Sequence, residues 1–132
     1  MKKKTITISK LKAKLDKLFS LYIRRRFADH ADNSQCVTCG KVDHWKNLQA
    51  GHFQSRRHHS IRWDLVNVQV QCVACNCFRN GEQYKFAIYL DNEYGKGTAK
   101  GLEDRTNELT KLSRIDYEEK IEWIKELLTD FD

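Results

Sequence analysis

Proline is missing from the 132 residues, methionine occurs once and glycine six times. A chain without proline has no fixed backbone kinks, which excludes proline-rich linkers and fits short helices joined by glycine and polar turns. No apolar run reaches the ~18–20 residues that a membrane-spanning helix needs, so no membrane partner is expected. The basic residues 1–4 (Met-Lys-Lys-Lys) lead into no apolar h-region and no small-residue cleavage site, so the expected location is cytoplasmic. Hydrophobic residues make up 40% of the chain, too many for a disordered tail. The length suits one domain, 1–132, with helical extensions at either end.

Acids are scarce at the start and plentiful at the end. Residues 1–27 hold ten Lys or Arg and one acid, Asp16, whereas residues 116–132 hold seven acids and two lysines. The net charge of +6 favours a polyanionic partner without proving one.

Four of the five cysteines form two Cys-x-x-Cys pairs, Cys36/Cys39 and Cys72/Cys75, separated by 32 residues. Each pair places two thiolates on one tight turn, and two such turns supply the tetrahedral ligands of a structural Zn²⁺. A redox Cys-x-x-Cys would sit beside a βαβ pattern, which is absent. The other alternative is four buried thiols. Cys77 is expected to pack as a small apolar residue. Four thiolates leave no open coordination position, so the zinc holds the fold and any reaction must come from the residues it positions.

Apolar periodicity predicts a basic helix over 8–29, capped at Ser9, with Leu11, Leu15, Leu18, Phe19, Tyr22 and Ile23 on one stripe. Lys10, Lys14, Arg24 and Arg25 fall mostly on its other faces, as a solvated surface or a phosphate grip. A polar loop at 30–35 precedes the first pair. Strands are expected at 48–53 and 66–70 around a basic loop at 54–60. A helix at 83–93 should turn Tyr84, Ile88 and Leu90 inward. A flexible turn follows at 95–101, then helical segments at 102–113 and 117–128, the last striped by Ile121, Ile124, Leu127 and Leu128. Residues 102–129 form the C-terminal helical region, whose tail around Tyr117–Phe131 could pack on the 8–29 helix or on a second subunit. Trp45, Phe53 and Trp63 read as core, with Trp63 retained as a possible DNA contact.

His52, Asn67 and Asn76 stand in a distinctive register. His52 lies fifteen residues before Asn67, and Cys72, Cys75 and Asn76 lie five, eight and nine after it. This pattern resembles the HNH endonuclease motif with asparagine in its third position. The sequence is similar, more closely, to the phage NinG/Rap recombination nucleases. The residues that carry this are Cys-Val-Thr-Cys-Gly at 36–40, Ala-Gly-His-Phe-Gln-Ser-Arg at 50–56, Ile-Arg-Trp-Asp at 61–64 with Asn67, and Gln-Cys-Val-Ala-Cys-Asn at 71–76 with Gly81. The resemblance covers about residues 36–90.

The resemblance implies an α+β fold, a small zinc-stapled ββα-metal core over 36–90 flanked by N- and C-terminal helices. It implies hydrolysis of DNA phosphodiester bonds in branched recombination intermediates such as Holliday junctions, in the cytoplasm of a phage's host. His52 would be the general base, since a neutral imidazole suits that task near neutral pH. Asn67 would hold the imidazole ring or brace the loop between the strands. Asn76 would ligate or orient a catalytic Mg²⁺ or Mn²⁺. Many HNH sites carry Asp or His just before the base as a metal ligand; Gly51 stands there here, as in the phage relatives, and leaves the metal shell undefined. His58, His59 and Asp64 are candidates to complete it. Without the register, both asparagines would read as turn residues bonded to local backbone.

Arg56, Arg57, His58, His59, Arg62, Arg79 and Lys85, with Lys10, Lys14, Arg24 and Arg25, are the expected DNA contacts, because guanidinium and ammonium groups reach phosphate oxygens. Two other functions compete: a zinc-stapled nucleic-acid-binding module without activity, and a protein-interaction adaptor using the acidic C-terminal helix. A symmetric branched substrate would favour a homodimer, and recombination proteins are possible partners.

Overall fold

The computed structural model describes residues 5–131; the basic residues 1–4 and Asp132 lie outside the described residues. Helix α1 runs Ile8–Arg25, and Thr7, not Ser9, is its cap: the Thr7 hydroxyl accepts from the Lys10 N–H at 3.2 Å. Leu11, Leu15, Phe19 and Ile23 are buried along one face, as the spacing predicted. The helix stops before residue 29 because the Asp29 carboxylate draws the chain into a turn. It accepts from the N–H groups of Ala31 and Asn33 at 2.9 and 3.0 Å, a local bond that competes with helix.

Residues 30–35 are not simply a loop. β1 (Asn33–Gln35) pairs antiparallel with β2 (Val42–His44), and the first cysteine pair sits at the turn between them. A 3₁₀ turn, Trp45–Asn47, leads to β3 (Gln49–His52), which pairs antiparallel with β4 (Val68–Gln71) in the register Gln49↔Gln71 to His52↔Val68. After β4 the second cysteine pair opens into a π-helical turn, Ala74–Phe78, followed by α2 (Gln83–Tyr94).

Two helical expectations change. α2 turns Phe86 and Leu90 inward, against Phe53, Ile61, Ala99 and Leu102, while Tyr84 and Ile88 are exposed. Residues 95–101 are a turn only as far as Gly97; α3 occupies Thr98–Arg105, and no helix continues to residue 113. α4 (Arg114–Leu128) begins with a Ser113–Asp116 capping box, which satisfies two orphan N–H groups reciprocally. Its Tyr117, Ile121 and Ile124 join the α1 stripe, Trp63 and Val68 in the largest core cluster. The C-terminal helix thus packs on the N-terminal one. The whole is α+β, with helices outside two small hairpins that carry the cysteines and His52.

Candidate functional site

The two hairpins bring all four paired cysteines together. The Sγ atoms of Cys36, Cys39, Cys72 and Cys75 lie within 4.8 Å of one another. Four sulfurs at ~2.3 Å from one ion in a tetrahedron stand roughly 3.8 Å apart, and Cys39 and Cys72 are at 3.6 Å. The cluster is tied into the fold by the Val37 N–H donating to the Val70 carbonyl at 3.0 Å and by the Cys75 N–H reaching Cys72 Sγ at 3.4 Å. Burial raises the Cys36 thiol, but hydrogen bonds from Thr38 and nearby backbone bring it down to about 6. Cys39 is favoured as thiolate by the Lys41 backbone, yet burial and its three neighbouring thiols push it up to about 12. Only a cation lets four such sulfurs ionise side by side, so the donor set fits structural zinc. Cys77 takes no part: it is exposed rather than packed, and its thiol meets Gln49 Oε1 at 3.2 Å.

His52 ends β3. Its Nε2 lies 3.0 Å from the Arg62 carbonyl; donation to that oxygen leaves Nδ1 as the basic nitrogen. Burial lowers its pKa, the carbonyl raises it, and the charges of Arg56 and Arg62 lower it further, to about 4. The imidazole is therefore neutral throughout the physiological range. A cavity of about 120 Å³ beside it is lined by Asp16, Phe19, Ser20, Ala50 and Arg56.

Asp16 is the residue that sequence reasoning missed. Its carboxylate accepts from Arg56 Nη2 at 3.1 Å, from Trp63 Nε1 at 2.9 Å and from Arg62 through both Nε and Nη2. Burial raises the Asp16 pKa, but hydrogen bonding and charge from Arg62, with Trp63 and Arg56, bring it below the ordinary carboxylate value. The available signal was its isolation as the one acid among residues 1–27.

The other expected site residues divide. Asn67 is fully buried and does not touch His52: its Oδ1 accepts from the Gln54 N–H at 2.8 Å, and its Nδ2 donates to the Gln54 and Ile61 carbonyls, both at 3.1 Å. It braces the loop between β3 and β4. Asn76 donates to Gln49 Oε1 at 2.8 Å, near the start of β3 and away from the His52 cavity. Gly51 is set by packing: a Cβ there would lie 1.8 Å from Gln71 Oε1. Gln71 is buried and held through Nε2 by Thr38 Oγ1 and the Gly81 carbonyl, so its amide occupies the space a metal-ligating side chain would need. Asp64 caps the N–H groups of Val66 and Asn67 and pairs with Arg105 at 2.9 Å. His59 stacks on Trp63, and His58 accepts from Arg57 at 3.5 Å.

Of the expected phosphate contacts, Arg62 is buried and consumed by Asp16 and the Arg56 carbonyl. Arg56, though paired, remains largely exposed. Arg79 and Lys85 are exposed and pair weakly with Glu82 at 3.9 and 4.0 Å. Lys10, Lys14 and Arg57 are exposed, and Arg24 and Arg25 are half-buried over the Trp45 ring.

These features define a small α+β protein with a four-cysteine cluster that could hold a structural metal, beside a basic, histidine-bearing hairpin. The family model for the bacteriophage lambda NinG protein matches residues 1–132. The chain belongs to that family of phage recombination proteins. No curated protein and no solved structure matches it significantly. Among the described residues no helix is long and apolar enough to cross a membrane.

Proposed function

We propose that this chain is an HNH-type endonuclease that hydrolyses phosphodiester bonds of branched DNA during phage recombination, with His52 as general base. The observation that carries this reading is a neutral histidine, its ring fixed by a backbone carbonyl, at the edge of a cavity walled by Arg56 and Asp16. In the reaction, an oxygen of water attacks phosphorus, its proton passes to the basic nitrogen of His52, the bond to the departing 3′ oxygen breaks, and that oxygen takes a proton from solvent to leave as the alcohol. Arg56 supplies positive charge where the phosphorane oxygens develop negative charge. Burial, and after it the charges of Arg56 and Arg62, depress the His52 pKa; an anionic phosphate beside the ring opposes the arginine part, so its proton affinity rises as substrate arrives. Asp16 acts through others: it fixes Arg62, whose carbonyl holds the imidazole, and Asn67 braces the loop that carries Arg62.

The residues around His52 do not form a cation cage. Gly51 offers no ligand, Asn76 is turned to Gln49, and Asp16 is already neutralised by two arginines. Among the described residues the only cluster of three or more His, Cys, Asp or Glu side chains suited to a metal is the four-cysteine one. The side chains around His52 therefore do not fit a Mg²⁺ or Mn²⁺ ion. The same observation favours the second reading, a zinc-stapled nucleic-acid-binding module without activity.

Purified protein and His52→Ala, each offered a four-way junction, a splayed fork and a linear duplex with and without Mg²⁺ or Mn²⁺, separate the two. The nuclease reading expects cutting of the branched substrates and a drop of about 10²–10⁴-fold in the variant. Tight binding with no cutting by either protein would establish the binding module instead.

A further inference from the structure

A second, larger cavity of about 540 Å³ lies between α1 and the segment leading into β3, lined by Ser20, Arg24, Lys46, Asn47, Gln49 and Asn76 among others. It adjoins the His52 cavity, because Ser20 and Ala50 wall both. The two ends of this trough are the two ends of β3. Residues 49 and 52 stand roughly 10 Å apart along a strand, about three base steps of duplex DNA.

The larger cavity is positive and lacks a counter-charge. Arg24 Cζ and Lys46 Nζ sit 5.2 and 5.7 Å from the centre of the Trp45 ring, and Arg25 Cζ approaches the same ring at 5.2 Å. No carboxylate among the described residues pairs with Arg24 or Lys46, whereas Arg56, Arg62, Arg79, Arg105 and Arg114 all have acidic partners. The nearby Asp43 carboxylate is engaged by the His44 N–H, Asn47 and Lys41. Arg24 is anchored through Nε to the carbonyl and hydroxyl oxygens of Ser20, both at 3.2 Å, which leaves its terminal nitrogens for an external acceptor. Its burial lowers its pKa, as expected of a cation partly stripped of water without an anion to replace it. A guanidinium held on an aromatic face and by a serine is pre-organised for a phosphate oxygen.

We propose that this cavity is a phosphate subsite: Arg24 and Lys46, set on Trp45, hold a backbone phosphate of the nucleic-acid strand within about three nucleotides of the one presented at His52. The inference rests on the nucleic-acid reading above, but it does not require cleavage. Trp45 is thereby a scaffold for two cations as well as a packing residue, and Lys46 joins the binding set.

The test uses the full chain in a His52→Ala background, so that binding is read without cutting. Affinity for a four-way junction is measured across a salt series for the parent, for Lys46→Gln, for Arg24→Gln/Lys46→Gln, and for Lys100→Gln on α3 as a control for general charge loss. Zinc content and melting temperature verify the fold of each. The proposal expects the double variant to lose at least about tenfold in affinity and about 2 in the salt slope, and Lys46→Gln about 1, with Lys100→Gln unchanged. Replacing single phosphates by neutral methylphosphonates should reveal one position that matters to the parent and not to the double variant. Slopes within error of the parent in both Lys46 variants would overturn the subsite, as would an equal loss in Lys100→Gln. A reduced slope together with no cutting by the unmodified protein keeps the subsite and removes the nuclease.

Discussion

Asp16 receives Arg56, Arg62 and Trp63, and Arg62 lends its carbonyl to His52, so one carboxylate on α1 sets the position of the imidazole. Asp16→Asn would leave a buried guanidinium without its charge partner. Because Asp16 is partly exposed, the expected loss is about 1–3 kcal/mol, below that of a fully buried pair. Denaturant titration measures it, and the pH–rate profile of any cleavage should shift with it, since a purely structural loss would leave the profile in place. His52 also ties stability to pH. Its folded pKa of about 4 lies below the unfolded ~6.5, so the unfolded chain binds the extra proton first. Stability is full above about pH 6.5, falls as pH drops towards 4 and levels off below, by at most about 3 kcal/mol. Melting curves from pH 4 to 7 should show this slope, and His52→Ala should flatten it. Gly51 was legible as a departure from the motif, but its reason was not: the space belongs to Gln71, a contact across the hairpin that one strand's sequence does not display. Gly51→Ala should cost about 1–3 kcal/mol. Paired with Gln71→Ala its further cost should nearly vanish, a non-additivity that a double-mutant cycle would detect.

At the scale of elements, α1 and α4 were readable because each carries a complete apolar stripe over four or more turns. α2 was readable as a helix but not in its facing, since its apolar residues fall on two sides and only α3 and Phe53 decide which side is buried. Phe86 and Leu90 win because they meet Ala99 and Leu102. β1 and β2 were invisible for a related reason. Asn-Ser-Gln and Val-Asp-His have little strand character, and their pairing is imposed by the knuckle that the first cysteine pair makes at their turn. The α1–α4 seam should be the main source of stability. Ile124→Ala is expected to cost about 2–5 kcal/mol, measured by denaturant unfolding, while Ile115→Ala on the exposed side should change it by less than about 0.5 kcal/mol.

At the scale of the whole molecule, the buried apolar residues among the described ones gather in three clusters, and the one around Leu48 and Val70 includes three of the paired cysteines. A core of that size offers two hairpins little hydrophobic burial, and a metal held by the four cysteines would add to their stability. A strong chelator, or Cys39→Ser, should lower the melting temperature and loosen amide-exchange protection in β1, β2 and β4 before α1 and α4. Uniform melting of all elements at the original temperature would refute a structural role for zinc. The spacing of the two cysteine pairs made this cluster legible in advance; the trough was not, because Arg24, Lys46 and Asn76 are brought together only by the fold.

The seam between α1 and α4 also dictates when the protein can exist during its own synthesis. Asp16, Phe19 and Ser20 form one wall of the His52 cavity, and α1 packs on Trp63 and Val68 as well as on α4, so its apolar face is only partly covered until residues 114–128 have left the ribosome. A nascent chain that already carries every candidate site residue therefore holds the wall of its His52 cavity on a helix whose packing is incomplete, and that wall is expected to become rigid only when α4 docks.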